Sequence, residues 1–251
     1  MNEPLISVVV PVHNAAPFIE ETVASVLAQT EGDFELLLVE DASSDGSPDI
    51  MKRLEKTDER IRVIINHGTH GAAYARNLGS ASSKGRYLCF LDADDIWLPE
   101  KLEEELDFLR KKDAAFVFTA YEFADKNGKG TGRYVRVPEM LDYEHALSRT
   151  VIFTSTVMFD MEKLSKDHVK MPYIKSEDTA CWWKILGSGV TAFGLDKSLV
   201  LYRRAGESLS SNKIEAVKRI WYLYRVQEGL PIFKSLACFI SWAVRASLRR
   251  L

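Results

Sequence analysis

Apolar positions in the first half of the chain follow two alternating periods. "ISVVVPV" (6–12), "FELLLVED" (34–41), "IRVIIN" (61–66) and "YLCFLD" (87–92) are continuous apolar runs, most of them rich in β-branched residues, as in strands covered on both faces. Between them lie stretches with helical spacing. "FIEETVASVLAQT" follows Pro17 and sets Phe18, Val23, Val26 and Leu27 on one side. "SPDIMKRLEKTDE" offers Ser47 as a cap and Pro48 at the first helical position, and "AAYARNLGSASS" follows a glycine-bearing loop. Four strand–helix units in succession predict a parallel sheet with right-handed crossovers and helices on both faces.

The second half is more mixed. "EKLEEELDFLRKKD" is an amphipathic helix, and "AAFVFTAYEFAD", "KNGKG" and "GRYVRVP" read as a hairpin. "TSTVMFD" (154–160) is a further strand, "EDTACWWKILGSG" a helix ending at glycine, and "SLVLYRRA" a strand. Two helices, about 212–229 and 231–250, close the chain on either side of Gly229-Pro231. On a helical wheel the last one sets Leu236, Phe239, Ile240, Ala243 and Leu251 on one side, with Lys234, Arg245 and Arg249 opposite.

Charge changes this picture only at the tail. The 251 residues carry a net −3, which argues against a general nucleic-acid binder. From Lys213 onward eight Lys/Arg face two acids, a net +6, so the preceding residues carry −9. A basic tail on an acidic body suggests a docking segment. The three cysteines lie far apart without metal-ligand spacing, as expected for free thiols in a reducing cytoplasm. The N-terminus lacks the pattern of a secretory leader. The ten apolar-rich residues between Lys234 and Arg245 are about half the ~20 needed to span a bilayer.

Candidate chemistry gathers where the strands end, since ligands of open parallel sheets bind outside the carboxyl ends. The first strand is followed by Pro11, His13 and Asn14, the second by Glu40, Asp41 and Asp45. His67, Gly68, His70 and Gly71 follow the third, and Asp92, Ala93, Asp94 and Asp95 the fourth. In extended backbone Asp92 and Asp94 face one side at about 7 Å spacing, while Ala93 faces the other. Such a pair suits a hard divalent cation, Mn2+ or Mg2+, that also takes phosphate oxygens. The competing reading makes Asp94 or Asp95 a cap for the helix in "IWLPEKLEEEL".

Taken in order, "SVVVPVHNAAPFIEETVASVLAQT", "VEDASSDGS", "GAAYARNLGSASSKGRYLCFLDADD" and "SEDTACWWKIL" resemble the motifs of family 2 glycosyltransferases, inverting enzymes of the GT-A fold. The resemblance spans about residues 5–205. It implies a Rossmann-like, mostly parallel sheet, with residues 1–95 as the nucleotide-binding half of a catalytic domain and 96–211 as its acceptor-binding half. Residues 212–251 are the helical tail. It also implies that Pro11, His13 and Asn14 hold the nucleoside, that Asp41 reads the base, usually uracil, and that Asp92 and Asp94 touch ribose and metal. Asp45, Gly71 and Ala93 belong to the same expected donor site. Glu177 and Asp178 match the acidic pair near the acceptor, with Asp178 as general base. Taken alone, that pair could equally be first-turn acids favoured by the helix dipole.

Arg76 is either a phosphate or base contact or a helix salt bridge. Tryptophans at helical positions are more often core than substrate platform, so one of Trp182 and Trp183 is expected at the sugar. His13 stands where the family commonly has Tyr, and Ala205 where many members have His, so Arg203 or Arg204 is expected to take up diphosphate charge. No Q-x-x-R-W follows the acidic pair, which favours transfer of one sugar per event. The resemblance thus implies a metal-dependent enzyme in the cytoplasm, taking a nucleotide-sugar donor and a glycan or lipid-linked acceptor for surface polysaccharide. Its tail would lie on the inner leaflet, and a homo-oligomer is compatible with the sequence. A non-catalytic nucleotide-sugar scaffold and a nucleotidyltransferase are the alternatives. The latter's Gly-rich basic loop is absent.

Overall fold

A computed structural model describes residues 3–204 and 213–248. Strands β1 (Ile6–Val12), β2 (Phe34–Glu40), β3 (Ile61–Ile65) and β4 (Tyr87–Phe90) form where the apolar runs predict them. They pair in parallel in the order β3-β2-β1-β4, with Val8 opposite Leu36 on one side and Cys89 on the other. Successive residues of β1, β2 and β4 are buried, so both faces of this part of the sheet are covered. Helices α1 (Ile19–Leu27), α2 (Ser47–Glu55) and α3 (Ala72–Ser82) provide the crossovers, and α3 lies against β1 and β2. The order reverses between β1 and β4, whose carboxyl ends therefore flank a crevice.

The sheet does not stop at Asp95. β5 (Ile96–Trp97), β6 (Phe116–Ala124), β7 (Gly130–Val135), β8 (Met140–Leu141), β9 (Val157–Asp160) and β10 (Ala192–Arg203) extend it to ten strands. β9 runs antiparallel between β4 and β6, and β10 is parallel to β6, so this half is mixed. One continuous sheet thus runs through both parts of the chain. The short β5 and β8 pair antiparallel with β10, and neither announces itself in the sequence. Thr154–Thr156 forms a 3₁₀ turn rather than the start of a strand. The Thr156 hydroxyl and amide both bond to the Phe153 carbonyl, local bonding with which Ser/Thr-rich segments compete against a ladder.

Two expected caps are otherwise employed. Ser47 is buried inside α2, its hydroxyl donating to Asp45 and accepting from the Ala15 amide, and Gly46 takes the cap position. Helix α4 (Lys101–Lys112) begins after Glu100, without a side-chain cap from Asp94 or Asp95. The expected sugar platform is also absent: Trp182 and Trp183 are both buried, Trp182 against Phe116 and Phe159. Trp97 is buried too, its indole donating to the Ser155 carbonyl.

After the short helices α5 (Tyr143–Leu147) and α6 (Lys166–Val169), α7 (Glu177–Gly187) carries the acidic pair at its start. Helix α8 (Lys213–Tyr222) passes through a π-helical turn, Leu223–Gln227, before α9 (Ile232–Leu248). Tyr224 in that turn stacks on Trp183 of α7 and donates to the Leu147 carbonyl. On α9 the inward face is Cys238, Phe239 and Trp242, while Leu236 and Ile240 are exposed. The expected grouping of Phe239 with Leu236 and Ile240 therefore splits, because this helix is apolar on both sides. Leu251, Arg249 and Ala205 lie outside the described residues.

Gly85 sets the entry to β4 and so the reach of the segment beyond it. A Cβ there would stand 2.6 Å from the Ser7 amide nitrogen and 2.7 Å from the Ile6 carbonyl carbon, and backbone cannot step aside. Gly85→Ala is expected to destabilise the fold by about 2 kcal/mol or more in urea unfolding. Gly32→Ala, with nothing within 4 Å, should be close to neutral.

Candidate active site

At the crevice between β1 and β4 the structure opens a cleft of about 630 Å³. Its walls bring together Pro11, His13, Asn14, Asp41, Gly71, Arg76, Asp92, Ala93 and Asp94 as the sequence leads one to expect, and add Phe18 and His70. That volume is in the range of small-ligand sites.

The wall beside β2 is built on Asp41, which is 4% exposed. Its carboxylate accepts from the Asn66 amide at 2.7 Å and the Gly71 backbone amide at 2.7 Å, with His70 Nδ1 at 3.0 Å. Gly71 can serve because it precedes α3 with φ at +133°, a conformation strained for other residues. His13 Nδ1 lies 2.7 Å from the Asp41 carbonyl, which can only accept, so the ring proton sits on Nδ1. Nε2 is then left to accept from the Asn14 amide at 3.2 Å. Asn14 holds φ at +51°, and its side-chain oxygen accepts from the Ser44 amide, tying the two loops together. Asp45 is not in this wall. Its oxygens take the Ala16 and Ser47 amides and the Ser47 hydroxyl, the last being the main reason its pKa is lowered.

The opposite wall concentrates charge. Arg76 projects from α3 with its side chain 7% exposed and meets Asp92 at 2.6 Å and Glu177 at 2.7 Å. Burial opposes its charge, but Asp92 and Glu177 outweigh that, so the guanidinium is held more firmly protonated than usual. Among the described residues its Nε has no hydrogen-bond partner, which concentrates the interaction in the two terminal nitrogens. Glu177 is pushed up by burial and by Asp178, with Arg76 pulling the other way. Asp178, next to it at the start of α7, accepts from the Thr179 amide at 2.6 Å and sits 3.3 Å from the Thr154 hydroxyl. Neither acid of this pair lines the cleft itself. Arg76 is the link.

Asp94 is half-buried and sits in a turn closed by the Asp95 amide on the Asp92 carbonyl, not in the extended backbone expected for the pair. No other described residue donates a hydrogen bond to its carboxylate, and burial plus the Asp92 charge push its pKa up to about 6, its own amide and the Arg203 charge pulling the other way. Asp95 is fully buried, its pKa raised chiefly by burial and then by Asp92 and Asp94. Its oxygens take the Ser155 hydroxyl at 2.6 Å and the Arg203 amide at 3.1 Å. Ser155 also accepts from the Asp92 amide, and Thr22 bonds to the Ala93 and Asp95 carbonyls. These contacts clamp the carboxylate-bearing segment from behind.

Arg203 joins that clamp and does not reach the cleft. Its buried guanidinium donates to the Asp94 carbonyl at 2.7 Å, the Lys126 carbonyl and Glu21 at 2.6 Å, and it lies over the Phe18 ring. The diphosphate role expected of it gives way to this support, because the end of β10 turns its side chain behind the Asp92–Asp95 segment. Arg204 lies over Phe123. Thr22, Glu21 and Ser155 escaped the sequence reading; a run of small hydroxyl residues at 154–156 was the one visible signal. Among the described residues no group of three or more His, Cys, Asp or Glu forms a ready-made metal cage.

Comparison with known proteins bears on family and fold. The model of glycosyl transferase family 2 matches residues 7–169. Over 250 residues the chain is 41% identical to the Bacillus subtilis (strain 168) "Putative teichuronic acid biosynthesis glycosyltransferase TuaG", covering 99% of this chain and 98% of that one. It is 34% identical over 222 residues to the Escherichia coli "UDP-Glc:alpha-D-GlcNAc-diphosphoundecaprenol beta-1,3-glucosyltransferase WfgD", covering 88% and 85%. Among solved structures, S. aureus TarS 1-349 in complex with UDP-GlcNAc superposes with a TM-score of 0.71 at 18% identity, covering 95% of this chain and 71% of that one. At that identity the likeness speaks for the fold, and the GT-A architecture expected from the sequence is the one found.

Removing the shared cation should expose the repulsion it offsets. Arg76→Met leaves the partly buried Asp92 and Glu177 without their shared partner and is expected to destabilise the protein by about 3 kcal/mol near neutral pH. Glu177, already pushed up by burial and by Asp178, loses the Arg76 charge that pulls it the other way, so the deficit should shrink as pH falls. Urea unfolding of both proteins at neutral and mildly acidic pH measures this. A deficit that does not change with pH would mean that lost packing, not charge, is the cause.

Proposed function

The chain belongs to glycosyl transferase family 2, and on that premise we propose that it moves one sugar from a UDP-sugar, with inversion, to a hydroxyl of a lipid-linked glycan acceptor in cell-surface polysaccharide synthesis. The observation that carries this reading is the placement of Asp94 in the cleft, without a hydrogen bond from another described residue, two positions from Asp92, which Arg76 joins to Glu177 of the Glu177–Asp178 pair. A donor site and an acceptor-side base are then adjacent but electrostatically separated. The uridine nucleotide and the lipid-linked acceptor are supported by the names of the relatives, WfgD above all.

In this reading the nucleoside lies along Pro11, His13 and Asn14, with Asp41 at the base. Asp178 takes the proton of the acceptor hydroxyl as that oxygen attacks the anomeric carbon from the face opposite the diphosphate. The new carbon–oxygen bond forms as the bond to the diphosphate breaks, and configuration inverts. Glu177 is committed to Arg76 and so positions the pair, leaving Asp178 without a direct ion pair among the described residues to act as base. Arg76, held charged, carries the positive potential of this wall toward the cleft that it lines.

The residues fit a divalent cation. Asp94 would hold it, with the Asp92 oxygen that Arg76 does not occupy, and a solved relative in fold, the mannosyltransferase PcManGT from Pyrobaculum calidifontis, is described with GDP-Man and Mn2+ (TM-score 0.65, 18% identity, 98% of this chain and 76% of that one). When bound, such an ion offsets charge building on the departing diphosphate. The raised Asp94 pKa makes its ionised form a penalty to folding above about pH 6, one that fades as pH falls toward the ordinary carboxylate value. A cation relieves the same penalty.

Two experiments follow from these assignments. Asp178→Asn is expected to leave UDP binding intact in calorimetry and to lower turnover by ~10²–10⁴. Near-normal turnover would move the base elsewhere. Mn2+ should strengthen UDP binding at neutral pH, and this enhancement should decline by up to about tenfold per pH unit once the pH drops below the Asp94 value, as protons compete for the ligand. Asp94→Asn should lack the enhancement at every pH, and an undiminished effect of Mn2+ in that variant excludes the assignment.

A further inference from the structure

We propose that the outward face of α9 is a docking surface for an anionic phospholipid bilayer, on which the helix lies parallel to the membrane plane. Phe233, Leu236, Ile240 and Val244 recur at helical spacing along this face and are all exposed, Phe233 at 83% and Ile240 at 62%. Monomers seldom leave so many large apolar side chains together in water, and a contiguous patch of this kind marks an interaction surface. The helix is not built to cross a membrane, since no described helix is long and apolar enough to do so. An apolar face with basic residues beside it suits the boundary between headgroups and acyl chains.

Charge selects the occupant. Lys234 and Arg245 border the apolar stripe, and the segment from Lys213 onward carries +6 against −9 for the rest of the chain. Lys234 shares its charge with Glu144 at 2.7 Å, and Arg245 contacts Ser241. An anionic surface would attract this end of the molecule and repel the remainder, which fixes an orientation as well as a contact. A second copy of the chain fits less well, because a two-fold interface through this patch would bring the same basic residues against each other.

The surface is also mechanically joined to the acceptor side of the site. The inward face of α9 meets α8 through Phe239 and Trp221, and the turn after α8 stacks Tyr224 on Trp183 of α7, the helix that begins with Glu177 and Asp178. Trp242 donates to Thr150, fixing the far end of α9 to the same body. The purpose of the docking rests on the proposed lipid-linked acceptor, which a membrane-bound tail would bring within reach of α7. The docking itself does not need that acceptor.

The test uses the full chain with vesicles of phosphatidylglycerol and phosphatidylcholine, and with pure phosphatidylcholine, in co-sedimentation at low and high salt. Binding to the anionic vesicles is expected at low salt and should weaken as salt rises. Phe233→Glu combined with Ile240→Glu should lower partitioning at least about tenfold, and Arg245→Ala about fivefold. Both variants alter exposed positions, and circular dichroism spectra matching the parent establish that they fold. The proposal is overturned if the parent ignores anionic vesicles at low salt, or if the double variant binds as well as the parent. It is equally overturned if sedimentation equilibrium shows a dimer that the double variant dissociates, since the face would then be a subunit interface. The vesicles contain no acceptor and the assay no donor, so a negative result here leaves the proposed sugar transfer standing.

Discussion

Arg76 occupies the point where carboxylates from two parts of the sequence would otherwise repel one another, and the arrangement of the site depends on its charge. One terminal nitrogen meets Asp92, just beyond the end of β4, and the other meets Glu177, which opens α7. The guanidinium is buried and the two carboxylates partly so, and loss of the shared cation would leave both acids uncompensated. The fold supplies the reach. α3 lies against β1 and β2, so a residue one turn into it can span from the end of β4 to the start of α7.

Around this pair the structure spends its polar groups on holding a short segment still. Asp95 is buried between Ser155 and the Arg203 amide, Thr22 reaches two of the segment's carbonyls, and Arg203 takes a third while paired to Glu21. These partners come from three elements: Thr22 and Glu21 from α1, Ser155 from the 3₁₀ turn and Arg203 from β10. The effect is that Asp94, at the middle of the segment, faces the cleft with its carboxylate uncommitted while its neighbours are locked. Rigidity behind a charged group is what preorganised electrostatics requires.

Much of this was legible in the chain. The four apolar runs fixed the parallel strands, the rule that ligands sit at strand ends picked out the cleft residues, and ordered motifs identified the family. What escaped had physical causes. Arg203 and Asp45 stand in the right neighbourhood, but whether a side chain turns into a cleft or behind it is decided by tertiary partners such as Glu21 and Ala16. Arg76 left two readings open, and only the structure shows it satisfying Asp92 and Glu177 together. Trp182 and Trp183 look alike in sequence, and both are needed to fill the core. On α9 a wheel cannot choose an inward side when both sides are apolar. Packing against Trp221 and Thr150 makes the choice.

The claim that one guanidinium couples the two halves of the site is open to a double-mutant cycle on stability. Arg76→Met would be combined in turn with Asp92→Asn and with Glu177→Gln, and each variant unfolded in urea at neutral pH. The account predicts that Arg76→Met is much less harmful once either carboxylate is neutralised, with a coupling above about 1 kcal/mol in each cycle. Additive effects in both cycles would contradict it. Coupling to Asp92 alone would mean that the guanidinium serves the donor side and merely touches Glu177.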